Sequence, residues 1–98
     1  MAYDLDAALR AFLSWGVSTY PVQRPCSVGL AVGPADAAAA LKHVSEIVDQ
    51  LDAIIPNWTR HDLVEAAQHA AQEVAKLHPG LGLDGIATLE WTYSWWYK

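Results

Sequence analysis

The chain has 98 residues, of which 53% are apolar and 17% charged, and eleven Asp or Glu against six Lys or Arg give a net charge of −5. This length suits one compact domain over 1–98, and the apolar fraction excludes intrinsic disorder. The negative charge and the scattered cations disfavour nucleic acid and anionic membranes as partners.

Cysteine usage and the start of the chain bear on its compartment. Cys26 is the single cysteine, so no intrachain disulfide and no thiolate metal cluster can form, and it is best interpreted as a small buried hydrophobe. No apolar run approaches the ~18 residues that span a bilayer. Residues 1–6 are acidic where a signal peptide is basic. We therefore expect a cytoplasmic protein, and no motif indicates a cofactor.

The first third of the chain predicts a helix followed by a short strand. Apolar residues recur at spacings of three and four over 3–15, which indicates an amphipathic helix ending near Gly16. Pro21 and Pro25 follow. Any strand here, best placed at 17–22, is therefore short and lies at a sheet edge.

A second strand and a long helix come next. Over 27–32, larger apolar residues alternate with small ones, which predicts a strand. Gly33 as N-cap and Pro34 in the first turn then predict the start of a helix. This helix should run over 34–55, because Pro56 forces the preceding residue out of helical geometry.

A third helix follows after a tight turn. Thr59 is a suitable N-cap, and Asp62 three residues later completes a capping-box pattern. The apolar periodicity continues to about His78. With so short a connection, the second and third helices should form an antiparallel hairpin.

The last part of the chain, 86–97, is rich in β-branched and aromatic residues and alternates from Glu90 onward, which predicts a strand. Its core face would carry Trp91, Tyr93 and Trp95. The predicted order is α-(β)-β-α-α-β. We expect an α+β fold in which three main helices cover a small, mostly antiparallel sheet of two or three strands.

The predicted helical hairpin carries most of the negative charge. Seven carboxylates and two cations fall between Asp36 and Glu73, so this segment has a net charge of −5. Such a face is either solvated surface that keeps the protein soluble or a docking surface that speeds encounter with a basic partner. The sequence leaves both interpretations open.

The C-terminal segment is dense in large rings, with three Trp and two Tyr among the last eight residues. Trp96 interrupts the polar face of the predicted strand, so it is either covered by the first helix or free to anchor a partner. Trp and Tyr are enriched at interface hot spots. We therefore take Trp96 and Tyr97, with Trp58 near the hairpin turn, as candidate anchors.

These features predict a non-catalytic protein-binding module. A small, acidic chain with one cysteine and no catalytic spacing resembles the bacterial immunity proteins, a class that neutralises a toxin by occluding its often basic active site. The resemblance is one of class and assigns no residue. The expected partner is a basic protein, for instance a toxin. The expected partner-binding residues are Glu46, Asp49, Asp52, Trp58, Asp62, Glu65, Trp96 and Tyr97.

Two alternatives remain. One is a homo-oligomeric structural or accessory subunit, such as a homodimer, whose aromatic strand pairs with its own copy across an exposed sheet edge. The other is a small metal-dependent hydrolase that uses His61 and His69. These two alternate with Glu65 and Glu73 at four-residue intervals, but the spacing drifts around a helix and lacks the His-Glu-x-x-His pattern. We therefore assign no catalytic residue and no metal ligand.

Overall fold

The computed structural model describes residues 3–98 and places five α-helices in that range. Met1 and Ala2, which belong to the acidic start of the chain, lie outside the described residues. The helices are α1 (Leu5–Leu13), α2 (Pro25–Val32), α3 (Ala37–Asp52), α4 (Leu63–Leu77) and α5 (Leu83–Trp96).

The expected α+β fold is wrong, because residues 3–98 contain no sheet. The only β-type pairing in this part of the chain is an isolated bridge between Trp15 and Ser18. Both main predicted strands, 27–32 and 86–97, are almost entirely helical. The predicted order of helices and strands is therefore replaced by an all-α arrangement.

The segment predicted as the C-terminal strand forms α5 because its buried positions repeat at helical spacing. Thr88, Leu89, Thr92 and Tyr93 are all 0% exposed and lie one turn apart in pairs. The two threonine hydroxyls donate to carbonyl oxygens one turn earlier, at 2.7 Å to Asp84 and 2.8 Å to Thr88. Buried hydroxyls are thus satisfied within the helix, and residues typical of a polar strand face line the core.

The expected core face of that strand does not exist. Tyr93 is buried, whereas Trp95 is 38% exposed. Residues two positions apart share one face of a strand but point to different sides of a helix. Trp91 is half-buried and stacks on Trp15, with 6.5 Å between ring centroids.

The other main predicted strand lies in α2. Pro25 stands in the first turn, where its fixed backbone angle suits a helix. Gly33, with φ of 88°, ends α2 rather than starting the next helix. The alternation over 27–32 therefore does not describe two faces: Val28 is buried, and Leu30 is 89% exposed.

A folded-back loop takes the place of the edge strand predicted at 17–22. Ser14 adopts a left-handed backbone with φ of 64° where α1 ends, and its hydroxyl donates to the Val22 carbonyl at 2.8 Å. The Arg24 N–H then donates to the Phe12 carbonyl at 2.7 Å. These bonds return the chain along the end of α1 and bring α2 against it.

Both predicted long helices are present with different bounds, but α4 packs mainly on α5 rather than on α3. The first helix of the pair, α3, begins later than predicted, at Ala37. The second, α4, is capped by Asp62 rather than Thr59. Asp62 accepts from the Glu65 N–H, and the Glu65 side chain accepts from the Asp62 N–H, which forms a complete capping box.

The core lies where α1 contacts α2, α3 and α5, while α4 packs on α3 and α5. Gly85 permits the close approach of α1 to α5, because a Cβ at this position would lie 2.5 Å from the Asp6 carboxylate. The Cα radius of gyration is 13.0 Å. Within residues 3–98, no helix combines the length and apolar character that crossing a bilayer requires.

Candidate functional site

An exposed group of aromatic rings lies at the end of the molecule where α5 ends and α4 begins. We call it the aromatic end; it comprises Tyr20, Trp58, Trp95, Trp96 and Tyr97. The exposed fraction is 54% for Trp58, 38% for Trp95 and 37% for Trp96. Large rings clustered at the surface mark interaction sites more often than scattered ones do.

Tyr93 supports the aromatic end from beneath. Its hydroxyl donates to the Ile54 carbonyl at 2.7 Å, which ties α5 to the linker after α3. Its ring centroid lies 4.7 Å from that of Tyr97, and Tyr97 meets the edge of Trp58 at 6.3 Å. Burial and, to a smaller extent, Tyr97 raise the pKa of Tyr93 to about 12, so its hydroxyl stays a proton donor.

The other side of the aromatic end rests on the loop after α1. Tyr20 lies 6.3 Å from Trp95, measured between ring centroids. The Lys98 ammonium also contacts Trp95, 4.3 Å from the centroid of its ring. Three segments distant in sequence, the 16–24 loop, the 53–62 linker and the end of α5, therefore hold the rings in place.

Two of the expected partner-binding carboxylates, Asp62 and Glu65, lie at this same end, whereas Asp49 and Asp52 lie on the last turns of α3, beside the second half of α4. Asp49 and Asp52 are both exposed. Asp62 and Glu65 are exposed at the start of α4, where the capping box fixes their side chains at 2.8 and 3.2 Å from the backbone N–H groups they accept from. Each of these two carboxylates uses one oxygen in the capping box, which leaves the other oxygen for a partner.

Glu46 does not join this group. It lies nearly two turns before the end of α3, and its charge acts on His78, which caps the opposite end of α4. The structure therefore places Trp58, Asp62, Glu65, Trp96 and Tyr97 at the aromatic end. It leaves Glu46, Asp49 and Asp52 along α3, whose Gln50 reaches His78 at the other end of α4.

His61 and His69 lie beside a cleft of about 230 Å³ next to the aromatic end, with Arg60 and Tyr93 in its wall. Their rings are stacked, 5.3 Å apart and 16° from parallel. The nitrogen lone pairs of parallel rings lie in parallel planes and do not converge on one ion. Among residues 3–98 no group of three or more His, Cys, Asp or Glu side chains is arranged to hold a metal ion.

A second histidine pair, which no sequence motif marks, joins α3 to the end of α4. The His43 Nε2 and the His78 Nδ1 are 3.0 Å apart. The outer nitrogen of His43 lies 3.0 Å from the Tyr3 hydroxyl, and that of His78 lies 2.5 Å from the Gln50 side-chain oxygen. Four side chains thus form one continuous hydrogen-bonded chain.

The partners in this chain fix the protonation pattern. Because the Gln50 oxygen accepts, the His78 Nε2 carries the proton, and its Nδ1 accepts from the His43 Nε2. The remaining nitrogen of His43 then accepts from Tyr3. Burial, with His43 adding to it, lowers the pKa of His78 against the opposing effect of Glu46. Burial and Asp36 raise the pKa of Tyr3.

These hydrogen bonds could hardly be predicted from the sequence. The two α3 members, His43 and Gln50, are seven residues apart and therefore share a helix face. Nothing in the sequence pairs that face with His78, which follows the last turn of α4.

Cys26 is exposed in the first turn of α2, and not buried beside a strand as expected. The difference arises because 27–32 is helical, so that the residues before it begin a surface helix instead of leading into a sheet.

Comparison of the chain with protein-family models, with curated proteins and with solved structures gave no match. The resemblance to immunity proteins and toxin inhibitors therefore gains no support from relatives. The geometry of the chain itself is the basis for a functional assignment.

Proposed function

We propose that this chain is a non-catalytic protein-binding module that docks a basic partner protein at the aromatic end. The observation that carries the proposal is the exposure of Trp58, Trp95 and Trp96 at one end of the molecule, where the linker before α4 packs against the end of α5. Trp is the residue type most enriched among interface hot spots.

The aromatic rings and the carboxylates would make different contributions to binding. The rings supply apolar area that loses water when a partner covers them, which contributes most of the affinity. The carboxylates Asp62 and Glu65 at this end, together with Asp49 and Asp52 on the last turns of α3, outnumber the cations Arg60 and Lys98. Such a negative excess speeds encounter with a basic surface and selects among partners.

The alternative of a homo-oligomeric subunit loses its original mechanism. An aromatic strand cannot pair with its own copy, because 86–97 forms α5 rather than a strand over nearly all its length. Self-association through the rings themselves is a separate hypothesis, and the mass of the purified chain in solution tests it.

The contribution of the rings is tested by affinity capture from source-cell extract, comparing the unaltered chain with the double variant Trp58→Ala, Trp96→Ala. We expect the unaltered chain to retain a basic protein in a 1:1 complex by mass, and the double variant to lose it. Leu83→Ala is the matched control, because Leu83 is 87% exposed at the opposite end of α5. Equal capture by all three chains would contradict the proposal.

The contribution of the carboxylates is tested on the captured partner by association kinetics. We expect Asp49→Lys with Asp52→Lys to slow association about tenfold or more at low salt and to leave folding intact. A lysine near the end of α3 also suits the helix dipole, so lost stability would not explain slower binding.

The matched control for charge is Asp36→Lys with Glu46→Lys, which changes the net charge equally but on the first part of α3 and its N-cap. We expect this control to slow association much less. If both double variants slow it to the same extent, only net charge matters, and local docking at the aromatic end is wrong.

A further inference from the structure

The helix α2 is unusual in its composition and burial. Its eight residues, Pro25–Val32, include no charged side chain, yet Val28 is the one residue it buries. Leu30 is 89% exposed, and Val17 in the neighbouring loop is 79% exposed. A surface helix normally turns a charged or polar face to water, so this one presents apolar area that has no cover in the described part of the chain.

A groove runs between α2 and α1 beside this apolar area. It encloses about 400 Å³, which lies within the range of small-molecule binding sites. Its apolar walls come from both helices and from the turn after α1. They are Ala7, Ala11, Trp15, Val17, Leu30 and Ala31.

Two of the six cationic residues of the chain line this same groove, although the chain as a whole is acidic. Arg24 forms no salt bridge with any residue of 3–98. Arg10 lies 5.3 Å from the centroid of the Trp15 ring, which orients its guanidinium. An apolar groove with two arginines is complementary to a molecule that has an anionic head and an apolar body.

Asp84 is the carboxylate that pairs with Arg10 within residues 3–98. The two side chains lie 3.5 Å apart, and they are 65% and 45% exposed. An exposed ion pair of this length contributes little stability. A carboxylate from a ligand can therefore replace Asp84 at Arg10 without a large loss.

We propose that the groove between α1 and α2 binds a small amphiphilic carboxylate, a fatty acid or a similar organic acid. The apolar chain lies against Leu30 and Val17, and the carboxylate lies between Arg10 and Arg24. This site shares no residue with the aromatic end, although the 16–24 loop contributes Val17 and Arg24 to the groove and Tyr20 to the rings.

Isothermal titration calorimetry with decanoate, kept below its micelle concentration, tests the proposal, with decanol as the uncharged probe of equal chain length. We expect decanoate to bind in a salt-sensitive manner and decanol to bind at least about tenfold more weakly. We expect Arg24→Gln to weaken decanoate by a similar factor, and Arg60→Gln, outside the groove, to leave it unchanged.

Two further variants test the groove without changing Arg24, in case Arg24→Gln disturbs the start of α2. Asp84→Asn removes the competing carboxylate and should tighten decanoate binding. Leu30→Glu puts a negative charge on an exposed rim position and should weaken it. Equal binding of decanoate and decanol, equal effects of the two arginine variants, or an acidic peptide binding where decanoate does not would each overturn the proposal.

Discussion

At the scale of single residues, Tyr93 connects the interior of the protein to its candidate binding surface. It is 0% exposed, its hydroxyl is bonded to the linker after α3, and its ring supports Tyr97 and, through it, Trp58. A change of one oxygen atom here therefore tests whether the aromatic end depends on a buried hydrogen bond.

We expect Tyr93→Phe to lower the free energy of unfolding by about 0.5–1.5 kcal/mol, because the half-buried Ile54 carbonyl loses its hydroxyl partner. Urea denaturation measures the change. Tyr20→Phe removes a hydroxyl from a residue that is 55% exposed and should have almost no effect. A Tyr93→Phe variant as stable as the Tyr20→Phe control would mean that the bond contributes nothing.

At the scale of helices, the first residue of α4 differs between the sequence prediction and the structure. The sequence pattern favoured Thr59 as N-cap, whereas the structure places Asp62 there, with Glu65 completing the capping box. Thr59 instead bonds to Asn57 within the exposed linker.

We expect Asp62→Ala to cost about 1 kcal/mol of stability, because the first turn of α4 loses its side-chain acceptor. Thr59→Ala should cost much less, since its hydroxyl bonds only to an exposed side chain. Thermal unfolding of the two variants side by side checks the assignment. A larger loss for Thr59→Ala would restore the earlier start of the helix.

The contact between His43 on α3 and His78 at the end of α4 should make the stability of the protein depend on pH. The ordinary pKa of histidine is 6.5, and that of His78 is lowered in the fold by burial and then by His43. Between the two values the unfolded chain binds more protons than the folded one. The stabilisation is therefore complete above about pH 6.5 and is lost as the pH falls through the folded pKa.

We expect the urea midpoint to fall between about pH 7.5 and pH 5 in the unaltered chain, and to fall less steeply in His78→Phe. The difference in slope is the readout, because the variant also loses its bond to Gln50 at every pH. Gln72→Phe, which places the same ring at an exposed position of α4 and removes no titratable group, should keep the original slope. Identical slopes in all three chains would contradict the role of His78.

At the scale of the whole molecule, the position of the exposed rings raises the question of self-association. If the aromatic end serves a different protein, the purified chain should be a monomer. We expect sedimentation equilibrium at micromolar concentration to give the mass of one chain. A stable dimer that Trp96→Ala dissociates would instead favour the homo-oligomeric subunit.

Short-range spacing was enough to predict several local features of the chain. They are the α1 helix, the two long helices α3 and α4, the acidic character of these two helices and the concentration of rings near the C-terminus. Each rests on side chains within a few turns of one another, and such periodicity survives in any tertiary setting.

The class of fold, in contrast, depends on contacts between segments that are distant in sequence. Over 86–97, β-branched and aromatic residues favour a strand locally, but α5 buries Leu89 and Tyr93 against α1 and α4 and satisfies the threonine hydroxyls internally. Full burial of a side chain such as that of Leu89 contributes roughly 1.5–3 kcal/mol. This outweighs a difference in strand propensity of roughly 1 kcal/mol or less per residue. The meeting of His43 with His78 and of Trp58 with Tyr97 depended on that packing as well, because contacts between distant segments leave no local pattern in the sequence.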